Sequence, residues 1–235
     1  MGIREALDIS AYLVIGPENT RGRAIEDVIA DALGAGFTCV QVRSKVCSAR
    51  ELIECTARAA DAIAREGKSD QVALLVDDRL DVVYAAREQG IKVDGVHVGQ
   101  SDVPVSACRK LLGPDAVVGL SARAAEMIDY VKAADMSLVD YLGVGPFHET
   151  ATKTDCERAA DGTVITQSAD ELRELAKISP VPIVVGGGVK AADLPTIAKS
   201  GVDGFFVVSA VCAADDPAAA ASELVRTWEG AHARS

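Results

Sequence analysis

Val72–Val98 reads VALLVDDRLDVVYAAREQGIKVDGVHV. It holds one complete structural unit. VALLV, Val72–Val76, is a near-continuous apolar run, the composition of a strand buried on both faces. Asp78–Gln89 then carries Leu80, Val82, Val83 and Ala86 at helical spacing and stops at Gly90. GVHV, Gly95–Val98, is the next strand. Two short apolar runs joined by an amphipathic helix predict parallel strands with a helical crossover.

The unit recurs in both directions along the chain. Further runs are YLVI at Tyr12–Ile15, CVQV at Cys39–Val42, VVGL at Val117–Leu120 and YLGV at Tyr141–Val144. PIVV at Pro182–Val185 and GFFVV at Gly204–Val208 complete a set of eight. Helices are predicted over Ala24–Ala35, Ser48–Glu66, Ala122–Ala134, Asp170–Ile178, Ala191–Ser200 and Asp216–Trp228, with a shorter one over Val103–Leu112. The repeat predicts a single (β/α)8 TIM barrel spanning residues 1–235. An open doubly wound sheet would show fewer strands, or a GxGxxG turn after the first one; GPENTRGR, Gly16–Arg23, lacks that spacing. Residues 149–169 form the one long irregular segment, of a length that marks a functional lid or a disordered loop.

Composition narrows the function. The chain has 235 residues, with 24 Lys plus Arg against 35 Asp plus Glu, a formal net charge of −11. Such a balance opposes non-specific nucleic acid binding. Hydrophobic residues at 49% exclude a disordered chain. Aromatic residues make up only 4%, so Ala, Val, Leu and Ile are expected to build the core. No stretch approaches the roughly 18 apolar residues of a membrane span. The start MGIREALDIS puts charges where a signal peptide needs its apolar run. Six cysteines with no CxxC pair predict reduced thiols and a cytoplasmic protein. If the substrates are anions, they must be bound by a few local charges.

In a barrel of this kind the active site lies at the C-terminal ends of the strands. Strand two runs into Gln41, Arg43, Ser44 and Lys45, and alternation lets Gln41, Arg43 and Lys45 share a direction. One amide and two cations suit a phosphate-bearing ligand with a polar ring. Strand three ends in Asp77, Asp78 and Arg79, and strand four in GQSD, closing at Asp102. Asp78 and Asp102 suit helix caps, a Mg2+ site, or both at once. His97 inside its apolar strand reads as a core residue, and nothing argues for His148 or His232. Ser121 follows strand five as a cap or a phosphate contact. After strand six, GVGPFHETATK offers Thr150, Thr152 and Lys153 on the predicted lid. Gly186–Gly188 after strand seven, with Val208 and Ser209 after strand eight, mark the place where barrels often bind a monophosphate. One mouth thus offers two anion sites, one built of amides and hydroxyls and one of cations and carboxylates. That layout suits joining two ligands with loss of diphosphate.

With QVRSK, VDDRLDVV, GVHVGQSDVP, DYLGVGPFHETATK, PIVVGGGV and GVDGFFVVSA in this order and spacing, the sequence resembles the thiamine phosphate synthase (thiamine-phosphate pyrophosphorylase) family over nearly its whole length. The resemblance implies a transferase. It would condense 4-amino-5-hydroxymethyl-2-methylpyrimidine diphosphate with 4-methyl-5-(2-phosphoethyl)thiazole to thiamine phosphate and diphosphate. It implies that Gln41, Arg43, Lys45, Ser121 and Lys153 bind the pyrimidine diphosphate, with Arg43, Lys45, Ser121 and Lys153 acting in catalysis. Asp78 and Asp102 would hold Mg2+. Thr150, Thr152, Gly188, Val208 and Ser209 would cradle the thiazole phosphate. The family commonly has Asn where this chain has Asp77, within the pyrimidine diphosphate site, and TDCERAADGTV after Lys153 departs from its usual pattern.

The partners so implied are small molecules, with no nucleic acid and no membrane, and a homo-oligomer is left open. A thiazole tautomerase-like isomerase of the same family is expected to lose the diphosphate and metal residues, and here they are present. A Schiff-base lyase needs a Lys within a strand, whereas Lys45 and Lys153 follow theirs. A non-catalytic binding module fits poorly with an intact charged set.

Overall fold

The alternation of apolar runs and helices closes on itself. The computed structural model describes residues 2–122, 124–149 and 161–233. Its strands are β1 (Ala11–Ile15), β2 (Cys39–Val42), β3 (Ala73–Asp77), β4 (Gly95–Gly99), β5 (Val117–Ala122), β6 (Tyr141–Val144), β7 (Ile183–Val185) and β8 (Gly204–Val207). They form a closed parallel barrel in sequence order, with β1 paired to both β2 and β8. The helices are α1 (Ile25–Ala35), α2 (Ala49–Arg65), α3 (Leu80–Glu88), α4 (Val105–Leu112), α5 (Ala124–Ala133), α6 (Ala169–Ile178), α7 (Leu194–Ala198), α8 (Ser209–Cys212) and α9 (Pro217–His232). This is the (β/α)8 barrel that the repeat predicts.

Local chemistry sets the helix ends. Ser48 caps α2 in a capping box with Glu51, as its position suggests, and Ser168 and Glu171 repeat the device on α6. Gly36, at φ +108°, ends α1 in the left-handed conformation that glycine adopts without strain. The helix expected over Ala191–Ser200 is shorter. Ala191–Asp193 is a 3-10 turn, and α7 begins only at Leu194. Pro195 explains the break, because its ring would clash with the carbonyl of an α-helical residue 191.

Alternation along the strands creates two cores. Outward residues such as Leu13, Val40, Leu74, Val96 and Leu142 pack beneath the helices. Inward residues Tyr12, Val14, Cys39, Ala73, Leu75, Val117, Tyr141 and Val184 fill the barrel. Aliphatic residues dominate both cores as expected, but the two largest side chains inside the barrel are tyrosines, Tyr12 and Tyr141. Gly119 makes room for one of them: a Cβ there would sit 2.2 Å from Tyr141 Cζ, so a larger residue would expel the ring.

A repeated polar clamp fixes the register. The residue before each even-numbered strand binds the start of the strand preceding it. Thr38 Oγ1 accepts from Ala11 N (3.3 Å). Asp94 Oδ2 accepts from Leu74 N (2.8 Å), Asp140 Oδ2 from Val118 N (2.7 Å) and Asp203 Oδ2 from Ile183 N (2.8 Å). In all four cases the clamp's own N–H also donates to the carbonyl of the same residue. Each clamp thus satisfies a strand-end donor that the ladder would leave unpaired. Asp140 additionally holds Arg4 and Arg109, each at 2.7 Å.

Thermal unfolding is expected to grade these clamps. Asp203→Ala loses one hydrogen bond and should cost about 1 kcal/mol. Asp140→Ala strands two guanidinium groups and should cost roughly 3 kcal/mol. Equal losses in the two variants would contradict the clamp reading.

Candidate active site

The C-terminal ends of the strands enclose an open cavity of ≈ 1230 Å³. The sequence-predicted residues Gln41, Arg43, Lys45, Asp77, Asp78, Asp102, Ser121, Gly188, Val208 and Ser209 all line it. Thr150, Thr152 and Lys153 lie outside the described residues, as does most of the predicted lid. The segment's far end is tied down: Gln167 is buried, its N–H donates to Pro146 O, and its Oε1 accepts from Ala124 N.

On one side of the mouth stands a charged cluster. Beyond β2, Arg43 N still donates to Ile15 O (2.8 Å), so the chain keeps its strand direction and Gln41, Arg43 and Lys45 reach the same cavity. Arg43 Nε lies 3.0 Å from Asp77 Oδ2 and Lys45 Nζ 3.7 Å from the same oxygen. Lys45 Nζ also hydrogen-bonds Asp78 Oδ2. The Asp77 carboxylate is thus held between two cations that would otherwise repel each other.

Neither metal-site candidate is a helix cap. α3 has Arg79 at its N-cap and α4 has Pro104 there, and neither helix receives a side-chain cap bond. Asp78 instead adopts φ +57°, a conformation uncommon outside glycine. Asp102 Oδ2 accepts from Gly99 N (2.7 Å). Burial works against the charged form of Asp78, but hydrogen bonds with Lys45 and Asp102 outweigh it and hold its pKa below the usual range. Asp102 is pushed the other way, by burial and then by the neighbouring Asp78 charge. Lys45 keeps its proton more firmly than a free lysine: burial opposes the charge, and its bonds to Asp78 and Asp77 overcome that.

Two neighbouring carboxylates, Asp78 and Asp102, on adjacent strand ends form a hard oxygen donor pair. Mg2+ typically takes one or two protein carboxylates plus phosphate oxygens and waters. Among the described residues no group of three or more His, Cys, Asp or Glu is placed to hold a metal. The pair therefore fits an ion that expects its remaining ligands from substrate and solvent.

The opposite side is built of backbone. Gly186–Gly188 lie where the sequence predicts a monophosphate site. Packing supplies a separate reason for each. A Cβ on Gly186 would sit 2.3 Å from the Phe206 ring. Gly187 and Gly188 have φ +82° and +72°, and their Cβ atoms would meet Pro146 and His148 at 2.7 and 2.8 Å. The glycine run is thus a steric requirement, and any anion contact comes in addition. Val208 and Ser209 border the same side, where Val208 is the N-cap of α8.

Several lining residues escaped the sequence reading. His148 faces the cavity and pairs with Asp193 Oδ1 (2.9 Å). Glu126 on α5 and Lys190 beyond β7 line it as well, as does Phe206. His97 sits beneath the mouth, stacked on Tyr141 with centroids 5.4 Å apart. Alternation along β4 with Gly95 and Gly99 is the signal that could have turned it inward.

A family model described as thiamine monophosphate synthase matches residues 11–211. A thiamine-phosphate synthase of Albidiferax ferrireducens is 38% identical over 213 residues, which cover 91% of this chain and 89% of that protein. One from Corynebacterium efficiens is 38% identical over 223 residues, covering 95% and 96%. Among solved structures, a thiamine phosphate pyrophosphorylase from Pyrococcus furiosus superposes with a TM-score of 0.75 at 26% identity, over 97% of this chain and 98% of that one.

Asp77→Asn removes a negative charge while keeping an oxygen for Arg43. Affinity for Mg2+ with inorganic diphosphate, measured by calorimetry, is expected to rise several-fold, and the melting temperature to change little. Weaker diphosphate binding in that variant would show that Asp77 helps hold the anion rather than offsetting the cations.

Proposed function

The chain belongs to the thiamine monophosphate synthase family, and we propose that its barrel mouth joins a pyrimidine diphosphate to a thiazole phosphate, giving thiamine phosphate and diphosphate. It is an enzyme, a transferase. The observation that carries the reading is the Arg43–Asp77–Lys45–Asp78 chain of ion pairs, with the Asp102 carboxylate beside Asp78 at its end. An isomerase acting on a thiazole alone has no use for such a cluster.

The chemistry needs charge stabilisation rather than a nucleophile or general base. The bond between the pyrimidine methylene carbon and the diphosphate oxygen breaks, and its electron pair leaves with the diphosphate. The thiazole nitrogen then donates its lone pair to that carbon. No proton moves. Arg43 and Lys45 bind the diphosphate, and their positive charge favours its departure. Lys45 suits this role because its carboxylate partners keep it protonated. Asp78 and Asp102 would hold Mg2+, which when bound offsets charge on the leaving diphosphate. Ser121 on β5 offers a hydroxyl to the same ligand, and Lys153 a third cation by its place in the motif. Gln41 presents its amide to the pyrimidine ring. Gly188, Val208 and Ser209 would receive the thiazole phosphate, with Thr150 and Thr152 joining them by motif.

Among the described residues no helix is long and apolar enough to cross a membrane. Buried free thiols at Cys39, Cys55, Cys108 and Cys212 support placement in the cytoplasm.

Asp102→Ala tests the assignment. Mg2+-dependent diphosphate release is expected to fall to background, while thiazole phosphate still binds with near wild-type affinity. Unchanged release would remove Asp102 from the metal site, and loss of thiazole phosphate binding would undo the division into two subsites.

A further inference from the structure

A chain of four polar side chains crosses the barrel interior below the mouth. Gln41 Nε2 donates to Tyr12 Oη (2.7 Å), Tyr12 Oη meets Tyr141 Oη (2.8 Å), and Tyr141 Oη meets His97 Nδ1 (2.7 Å). Tyr12 and Tyr141 are 1% and 0% exposed, and Gln41 and His97 are 3% and 9% exposed. Around them lie Val14, Cys39, Leu75 and Val117. In such surroundings a hydroxyl without a partner is costly, so every proton in the chain is committed. Burial raises both tyrosine pKa values well above normal, so each ring carries one proton to give.

The bond order follows from the end of the chain. An amide nitrogen only donates. Tyr12 accepts from it, and its own proton is assigned to Tyr141 Oη (2.8 Å), a stronger acceptor than the neighbouring Cys39 thiol. Tyr141 passes its proton to His97 Nδ1. An Nδ1 that accepts leaves the ring's hydrogen on Nε2. With Nε2 of Gln41 engaged below, its Oε1 is the atom left for the cavity that Gln41 lines.

We propose that Tyr12 and Tyr141 are positioning residues whose paired hydroxyls form a one-way relay, locking the Gln41 amide with its oxygen toward the mouth and the His97 ring in its Nε2–H form. Through Gln41 the relay selects an aminopyrimidine over its oxo analogue. An amide oxygen accepts from an exocyclic amino group and repels a ring oxygen at the same place. This selectivity rests on the reading of the mouth as a pyrimidine diphosphate site, whereas the relay itself does not.

Two measurements test it. The first compares kcat and KM for the 4-aminopyrimidine diphosphate and its 4-oxo analogue in wild type, Tyr12→Phe and Tyr141→Phe. Either substitution frees the amide to turn over. The amino-over-oxo preference in kcat/KM is expected to drop about tenfold, the scale of one oriented hydrogen bond, through KM more than kcat. An unchanged preference in folded variants would overturn the proposal, since a purely structural role lowers the melting temperature and leaves the ratio alone.

The second is 15N NMR of histidine-labelled protein without substrate. Only three histidines contribute, and His148→Gln and His232→Gln assign them. Wild-type His97 is expected as the Nε2–H tautomer, and Tyr141→Phe as a mixture. A proton on Nδ1 in the wild type would overturn the relay's direction. This readout stands even if the enzyme makes no thiamine phosphate, and it needs only wild-type protein if the variants fail to fold.

Discussion

Register is the constraint on which the rest of this barrel depends. In a parallel sheet a shift of one residue turns every inward side chain outward. Thr38, Asp94, Asp140 and Asp203 oppose that shift at four of the strand junctions, each by gripping the backbone of the strand before its own. With the register held at one end, the other end is determined. Gln41 faces inward and Val42 outward, and Arg43 emerges beside Asp77. The mouth owes its geometry to clamps at the far end of the strands.

The same geometry resolves a tension in the charge. A molecule with a net charge of −11 is a poor receptor for two anions if charge is spread evenly. Arg43 and Lys45 are concentrated at one strand end, and Asp77 and Asp78 bind them there. Those pairs fix the direction of two long, flexible side chains before any ligand arrives. An anion entering the cavity therefore meets oriented cations, at a reduced entropic cost. The clustered carboxylates of Asp77 and Asp78 in turn keep Arg43 and Lys45 from repelling each other.

The fold was legible because buried parallel strands and Ala-rich helices leave distinct periodicities, and the eight runs quoted from the sequence all became strands. The lining of the cavity was legible where barrel architecture turns strand ends into one mouth, as at Arg43, Asp78 and Asp102. Tyr12 and Tyr141 were hidden because a strand buried on both faces shows no contrast between its two sides. The clamps were hidden because partners such as Leu74 and Asp94 are 20 residues apart, beyond any local pattern. In retrospect Val93–Asp94, Val139–Asp140 and Val202–Asp203 are the same dipeptide before three even strands. The packing role of the glycine run was hidden as well, since the Phe206 ring, Pro146 and His148 that crowd its members come from distant parts of the chain.

The account holds that one mouth carries two ligands and links them. Incubating the protein with the pyrimidine diphosphate, the thiazole phosphate and Mg2+, and following products by mass, tests that most directly. The predicted result is thiamine phosphate, with one diphosphate released for each product formed. Conversion of a thiazole tautomer without any coupled product would contradict it, and would assign this barrel to isomerisation.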